Sequence, residues 1–320
     1  MMPDETLRPA LVLHARDSIA RGSKSFRTAS RLFDRTTRER AWLLYAWCRA
    51  CDDIADGQDH GGTMHATDDS RVRLADIQDR TERALAGKAG LDDPAFAGVA
   101  LVAAEVALPR RYMDDLIGGF ALDAAGWRPR TQGDLMRYCY HVAGAVGCMM
   151  AIVMGVAPDD EATLTRACDL GLAFQLANIA RDIAEDAAAG RCYLPSDWLA
   201  EAGIDAADPM APATRPALAV LAGRVAGLAA RYEESARRGT PALPFRCAWA
   251  VLAAAGIYGG IARHVAADPA AALTARVHTS KWEKLGWLMQ AAGQSASRHR
   301  LYPDTPRDPA LWQRPASTGA

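Results

Sequence analysis

The stretch RACDDIADGQ, Arg49 to Gln58, sets Asp52, Asp53 and Asp56 directly after AWLLYAWC, Ala41 to Cys48, a run that is apolar at every position. A helix apolar all round is a buried helix. Continued through the acidic stretch, it carries Tyr45, Arg49, Asp52 or Asp53, and Asp56 along one stripe, because residues three and four apart are neighbours on a helix. Carboxylates placed there look inward or into a cleft, where a cation would hold them. The plainer alternative is an ion pair of Arg49 with Asp53 at the i, i+4 spacing, followed by a solvated helix end.

CDLGLAFQLANIARDIAEDAAAGRCYLP, Cys168 to Pro195, repeats the oddity. At about 100° per residue Gly171, Gln175, Asn178, Asp182 and Asp186 fall within a narrow arc, with Glu185 at its edge, while the remainder is Leu, Ala, Phe and Ile. A polar stripe on an apolar helix must face other polar groups or a ligand, since burying it unpaired costs several kcal/mol. One such helix is equally well read as a hydrogen-bonded network in which Arg181 and Arg191 neutralise the acids. Two shift the balance: that many carboxylates aimed into an interior repel one another unless cations sit among them. The donors are oxygens of Asp, Asn and Gln, which suits Mg²⁺ or Mn²⁺ rather than zinc or copper. Mg²⁺ keeps waters and bridges one or two carboxylates to phosphate, so a diphosphate is the natural substrate group.

Other residues with chemical potential carry less. Cys48 and Cys51 form a CxxC without a second CxxC or a histidine pair, which argues against zinc. His60 and His65 lie in DGQDHGGTMHATDDS, a polar stretch that reads as a loop.

The elements that position the stripes are helical. Half of the 320 residues are hydrophobic, and long Ala- and Leu-rich stretches with few alternating patterns indicate an all-α protein with a substantial core. Helices are predicted over Val72–Leu85, Asp93–Val106, Arg111–Leu122, Gln132–Met154, Asp160–Ala188, Arg215–Arg238, Arg246–Ala266 and Ser280–Ser297. The connections LPSDW, DPMAPAT and PALPF separate them, and the tail from Tyr302 is Pro-rich and reads as extended. No Pro/Gly-rich linker divides the chain, so a single domain is expected over residues 15–300, with an N-terminal segment 1–14 and a tail 301–320. Net charge is -1, and no basic, aromatic platform accompanies it, so nucleic acid is not an expected partner. Seven cysteines without a signal peptide point to free thiols in a reducing cytoplasm. Apolar stretches such as CAWAVLAAAGIYGGIA from Cys247 fall short of the roughly 20 residues that span a bilayer. Membrane contact, where it occurs, is expected to be peripheral, at the inner face.

At these residues the chain resembles the squalene and phytoene synthases. GSKSF at Gly22 to Phe26, LYAWCRACDDIAD at Leu44 to Asp56, YCYHVAGAVG at Tyr138 to Gly147 and FQLANIARDIAEDAAAGRCYLP at Phe174 to Pro195 match that family's pattern in order. The resemblance implies an all-α isoprenoid synthase fold with two aspartate-rich helices across a central cavity. It assigns metal to Asp52 and Asp56 on one side and to Asn178, Asp182 and Asp186 on the other. Gln175 and Arg181 accompany the second motif, and Arg49 borders the first. Ser23, Lys24 and Ser25 match a flap near the diphosphates, Phe26 following them as a further substrate-binding residue, and Tyr45, Tyr138, Tyr193, Tyr258 and Arg276 match the diphosphate end of the cavity. The implied reaction is the head-to-head condensation of two prenyl diphosphates through a cyclopropylcarbinyl diphosphate. With geranylgeranyl diphosphate it gives phytoene, the first committed step of carotenoid biosynthesis, by proton loss and without NADPH.

Rival readings separate on the second motif. NIARDIAED departs from the DDxxD repeat of chain-elongating prenyltransferases and from the N, S/T, E pattern of terpene cyclases. A squalene- or dehydrosqualene-type synthase acting on farnesyl diphosphate stays open as an alternative. A non-catalytic helical assembly factor would have lost acids that are all present here. Ser30 lies four residues after Phe26, so in a continuous helix the two share a face, and a small residue there leaves room for a longer prenyl tail.

Overall fold

A computed structural model describes residues 7–22, 24–57, 70–90 and 92–315. Ser23, His60 and His65 lie outside the described residues, as do the side chains of Lys24 and Ser25. Among the described residues every regular element is a helix. In chain order the helices are α1 Arg8–Gly22, α2 Lys24–Ala29, α3 Arg35–Asp56, α4 Ser70–Leu85, α5 Pro94–Val106, α6 Arg110–Ala124, α7 Gln132–Cys139, α8 Ala145–Val153, α9 Glu161–Ala188, α10 Ser196–Glu201, α11 Arg215–Arg237, α12 Phe245–Ala267, α13 Pro269–Ala272, α14 Lys281–Ala296 and α15 Arg298–Leu301. They form two compact units, Met1–Ala125 with Met149–Asp160, and Gly126–Cys148 with Glu161–Ala320.

In the first unit α3 packs against α1 and α5, and α4 covers α5. Asp34 starts α3 by accepting the Thr37 backbone N–H at 3.0 Å and the Thr37 hydroxyl at 2.7 Å. Gly57 ends it in the left-handed conformation, φ 64°. Between these caps Ala41, Leu43, Leu44, Ala46, Trp47 and Cys51 are buried, as the apolar run requires. In the second unit α9 packs on α11, and α12 packs on α9, α11 and α14. The chain enters α8 through a π-helical turn, Tyr140–Gly144, which lies against α9. The approach is backbone to backbone: a Cβ on Gly171 would sit 2.3 Å from the Ala143 carbonyl oxygen. Gly171 therefore serves helix contact, not the polar stripe to which its position assigned it.

α1 runs continuously from Arg8 to Gly22, with Leu11, Ala15, Ser18 and Ile19 buried. One sequence expectation changes: two helical stretches do not fall short of membrane length. Gln132–Val153 and Phe245–Ala267 are both long and apolar enough to span a bilayer, yet 61% of each apolar window is buried inside the protein, as core helices are. The Pro-rich tail, without helix after Leu301 through residue 315, is nonetheless pinned to the second unit. Arg307 donates to both oxygens of the buried Asp169 on α9 at 2.9 and 2.7 Å, and the Trp312 N–H donates to the Tyr232 hydroxyl at 2.9 Å.

Two glycines should respond oppositely to alanine. Gly171→Ala forces apart two backbones and should cost about 1 to 3 kcal/mol. Gly227, exposed within α11 with nothing within 4 Å of its Cβ position, should gain about 0.5 to 1 kcal/mol as alanine. Urea unfolding of both variants checks the pair.

Candidate active site

The two acidic stripes are both present, one in each unit. On α3, Arg49 donates to Asp52 Oδ2 at 2.8 Å and also pairs with Asp53, so the plain ion-pair reading of this helix end holds as well. Asp53 turns toward the guanidinium and is 12% exposed, whereas Asp52 is 44% exposed. Burial, with the neighbouring Asp56, Asp53 and Asp123 charges, pushes the Asp52 carboxyl up to about 6 despite Arg49. Tyr45 lies one turn before Arg49; burial raises its hydroxyl, and its ring meets Phe26 at 5.4 Å. Gly22 ends α1 against that tyrosine, with room for no Cβ: the position it would take is 2.3 Å from the Tyr45 hydroxyl oxygen. This accounts for glycine before SKSF.

On α9, Gln175, Asn178, Asp182 and Asp186 are half-buried. Arg181 grips Asp182 with Nε to Oδ1 at 2.7 Å and a terminal nitrogen to Oδ2 at 2.5 Å. Arg276 reaches Asp182 at 3.1 Å and Glu185 at 3.3 Å, which places this residue at the stripe. Asp186 is pushed up to about 6 by burial and by Asp182 and Glu185, with Arg191 and Arg181 opposing. It opens, with Arg191, Cys192 and Tyr193, on a void of about 10 Å³, the size for a single water.

Aromatic side chains complete this unit's polar end. Tyr138 stacks on Tyr193 at 4.9 Å, and Trp127 continues the column at 5.9 Å. Tyr258 stacks on Phe174 at 4.2 Å, and the nearby Arg181 charge partly offsets the burial that raises its hydroxyl. Phe174 was missed in the sequence because a lone aromatic in an apolar segment reads as core, and Trp127 because it stands alone in the loop GWRPRT.

α2 stops at Ala29, and Ser30 begins a tighter 3₁₀ turn. Its hydroxyl is fully buried, donating to the Arg27 carbonyl at 3.0 Å and accepting from Trp42 Nε1 at 2.9 Å.

Both stripes fit a hard cation by donor chemistry, since they offer carboxylate and amide oxygen with excess negative charge at Asp52 and Asp186. Within either unit, among the described residues, no three His, Cys, Asp or Glu side chains converge into a ready cage. Mg²⁺ and Mn²⁺ need none, because water and phosphate complete their coordination. Burial pushes the Cys48 thiol of the CxxC up to about 12 and Cys51 upward too, which favours the protonated thiols.

Residues 19–283 match the squalene/phytoene synthase family model. The chain belongs to the squalene/phytoene synthase family. It is 48% identical over 310 residues to a phytoene synthase of Pseudescherichia vulneris, covering 96% of this chain and 99% of that one. To a 15-cis-phytoene synthase of Enterobacter agglomerans it is 46% identical over 296 residues, 92% of this chain and 99% of the relative. Among solved structures, a dehydrosqualene synthase with bound ligand superposes with a TM-score of 0.78 at 25% identity, over 91% of this chain and 98% of that one. A squalene synthase of Alicyclobacillus acidocaldarius gives 0.66 at 23% identity, over 92% and 97%. The fold is therefore the all-α isoprenoid synthase fold that the sequence led us to expect.

The electrostatics of the stripes separate two substitutions. Asp52→Asn removes one charge from a crowded group, so the melting temperature of the metal-free protein should hold or rise. Asp182→Asn strips two arginines of their shared partner and should cost about 1 to 2 kcal/mol. Differential scanning calorimetry in chelator distinguishes the two, and a matched fall in both variants would contradict this account.

Proposed function

We propose that this chain is a phytoene synthase, a prenyltransferase joining two geranylgeranyl diphosphates head to head through prephytoene diphosphate. The observation that carries this reading is near-full-length identity of 44 to 48% to phytoene synthases, in a chain that keeps both acidic stripes. Bound Mg²⁺ or Mn²⁺, with Asp52 and Asp56 as ligands on α3 and Asn178, Asp182 and Asp186 as ligands on α9, supplies charge neutralisation to the diphosphate leaving groups.

The chain's own residues do the rest. Arg49, Arg181 and Arg276 are the cations already at the stripes, and each can exchange a carboxylate for a phosphate oxygen at small cost, because guanidinium binds both in the same forked geometry. Gln175 and the hydroxyls of Tyr45, Tyr138, Tyr193 and Tyr258 orient the diphosphates. Ser23, Lys24 and Ser25 are the further substrate-binding residues that the family resemblance adds. The rings of Phe26 and Tyr45, in contact with each other, offer faces that stabilise a passing carbocation by about 0.5 to 2 kcal/mol. The Tyr138, Tyr193 and Tyr258 hydroxyls are poor bases, so released diphosphate takes the last proton. Ending by proton loss, the reaction requires no hydride donor.

Purified protein with geranylgeranyl or farnesyl diphosphate, Mg²⁺ or Mn²⁺, with and without NADPH, tests the reading through product mass. Phytoene independent of NADPH is expected, and chelator or Asp182→Asn should lower the rate at least 100-fold. Turnover of farnesyl diphosphate alone would move the chain to the dehydrosqualene or squalene branch.

Phytoene carries no polar atom, so its release calls for an apolar acceptor. Peripheral contact with a bilayer is supported by α14, whose outward face shows Trp282, Leu285 and Met289 at 81, 48 and 65% exposure beside Lys281. Addition of phosphatidylcholine vesicles should blue-shift the tryptophan emission, and Trp282→Phe should remove most of that shift.

A further inference from the structure

The first unit holds a second concentration of charge, opposite in sign to the acidic stripe. A cleft of about 280 Å³ is lined by Arg16, Arg27, Arg31 and Arg38, with Ala20, Trp42 and the lone acid Asp17. Elsewhere in this unit arginines find carboxylates: Arg8 and Arg35 reach Glu39, Arg40 reaches Glu105, and Arg80 reaches Asp76. At the cleft they do not. Arg16 approaches Asp17 only at 3.9 Å, with both side chains more than half exposed. Among the described residues Arg27, Arg31 and Arg38 have no carboxylate partner; of the acids nearest them in sequence, Asp34 is used to cap α3 and Glu39 is held by Arg8 and Arg35.

The cleft is also built rather than merely basic. Arg38 lies over the Trp42 ring at 5.5 Å, and its Nε is buried without a hydrogen-bond partner. A buried N–H left unpaired is costly, and an incoming acceptor recovers that cost. Trp42 in turn bonds Ser30, and Ser30 bonds the Arg27 carbonyl, so α2 and α3 are fixed to each other at the cleft wall. Four guanidinium groups against one carboxylate repel one another until an anion enters. Arginine forks match phosphate oxygens, so the anion they select is a phosphate group carrying more than one charge. The cleft is separate from the acidic stripe: Arg38 and Asp52 both lie on α3, about 21 Å apart at helical rise.

We infer that this cleft is a metal-independent binding site for a phosphate-bearing polyanion, distinct from the metal-dependent diphosphate site. Two sources share that chemistry: free inorganic diphosphate, and the head group of an anionic phospholipid. The first would make the cleft a sensor of the diphosphate the enzyme releases; the second would anchor the unit on an acidic bilayer.

The test uses the full-length protein in chelator, so that the acidic stripes stay closed to diphosphate. One arm is calorimetric titration with inorganic diphosphate. The other is flotation with phosphatidylglycerol vesicles, scored as the excess over phosphatidylcholine vesicles. Arg27→Gln/Arg31→Gln changes only exposed side chains and should preserve the fold, while Arg38→Gln probes the buried donor. Both should weaken binding in the positive arm at least 10-fold, and Asp52→Asn should not. Diphosphate binding without a phosphatidylglycerol excess assigns the free ion, and the reverse assigns the lipid. Absence of both, or binding that Arg27→Gln/Arg31→Gln leaves unchanged, overturns the site.

Discussion

Everything in this fold answers to one constraint: carboxylates are carried on helices that are otherwise buried, and charge in a poorly hydrated place must be met by charge. Each unit meets it with arginine. On α3 one guanidinium is divided between Asp52 and Asp53, and on α9 two guanidiniums converge on Asp182. In neither case is compensation complete, since Asp52 and Asp186 are still driven upward by burial and by acids beside them. That residual deficit would make each stripe receptive to the divalent ion proposed for it.

A stripe is useful only if its helix is held in place, and α9 is held at its other end by a second buried charge. Asp169 has no exposed surface, and its partners come from distant segments: Arg307 beyond the last helix and Ser235 on α11. Burial raises Asp169 although Arg307 opposes it, the expected balance where desolvation competes with a direct pair. Arg166 extends the same network to the Ser235 hydroxyl at 2.7 Å and the Thr305 carbonyl at 2.6 Å. Losing either member of such a pair would strand a buried charge, so the tail belongs to the scaffold of α9 despite its lack of regular structure.

How much of this the sequence discloses follows from the range of the forces involved. Helix periodicity and capping are local, and so α4, α5, α9, α11 and α14 end within two residues of their expected limits. The acidic stripes were legible for the same reason, because a period of about 3.6 residues decides which side chains share a face. Pairings across the sequence were not. Nothing near Arg307 hints at Asp169, and Arg276, placed at the diphosphate end of the cavity only through family resemblance, gave no sign of its pairing with Asp182. The π turn at Tyr140–Gly144, within which Ala143 closely approaches the backbone of Gly171, also escaped. The 3₁₀ turn that begins at Ser30, where the spacing suggested a continuous helix, escaped too.

The two stripes look alike as motifs and differ as electrostatic objects. On α3 the arginine precedes its acids by three and four residues, so the pair is built within one helix turn and forms as soon as the helix does. On α9 the bond from Arg181 joins neighbouring residues, whose side chains leave the helix in different directions, and Arg276 must arrive from the segment between α13 and α14. The first stripe's compensation is thus local and the second's is tertiary. An anion that competes for guanidinium would meet little reorganisation at Arg49, where the helix itself holds the side chain. At Arg276 it would meet a side chain that the loop between α13 and α14 supplies.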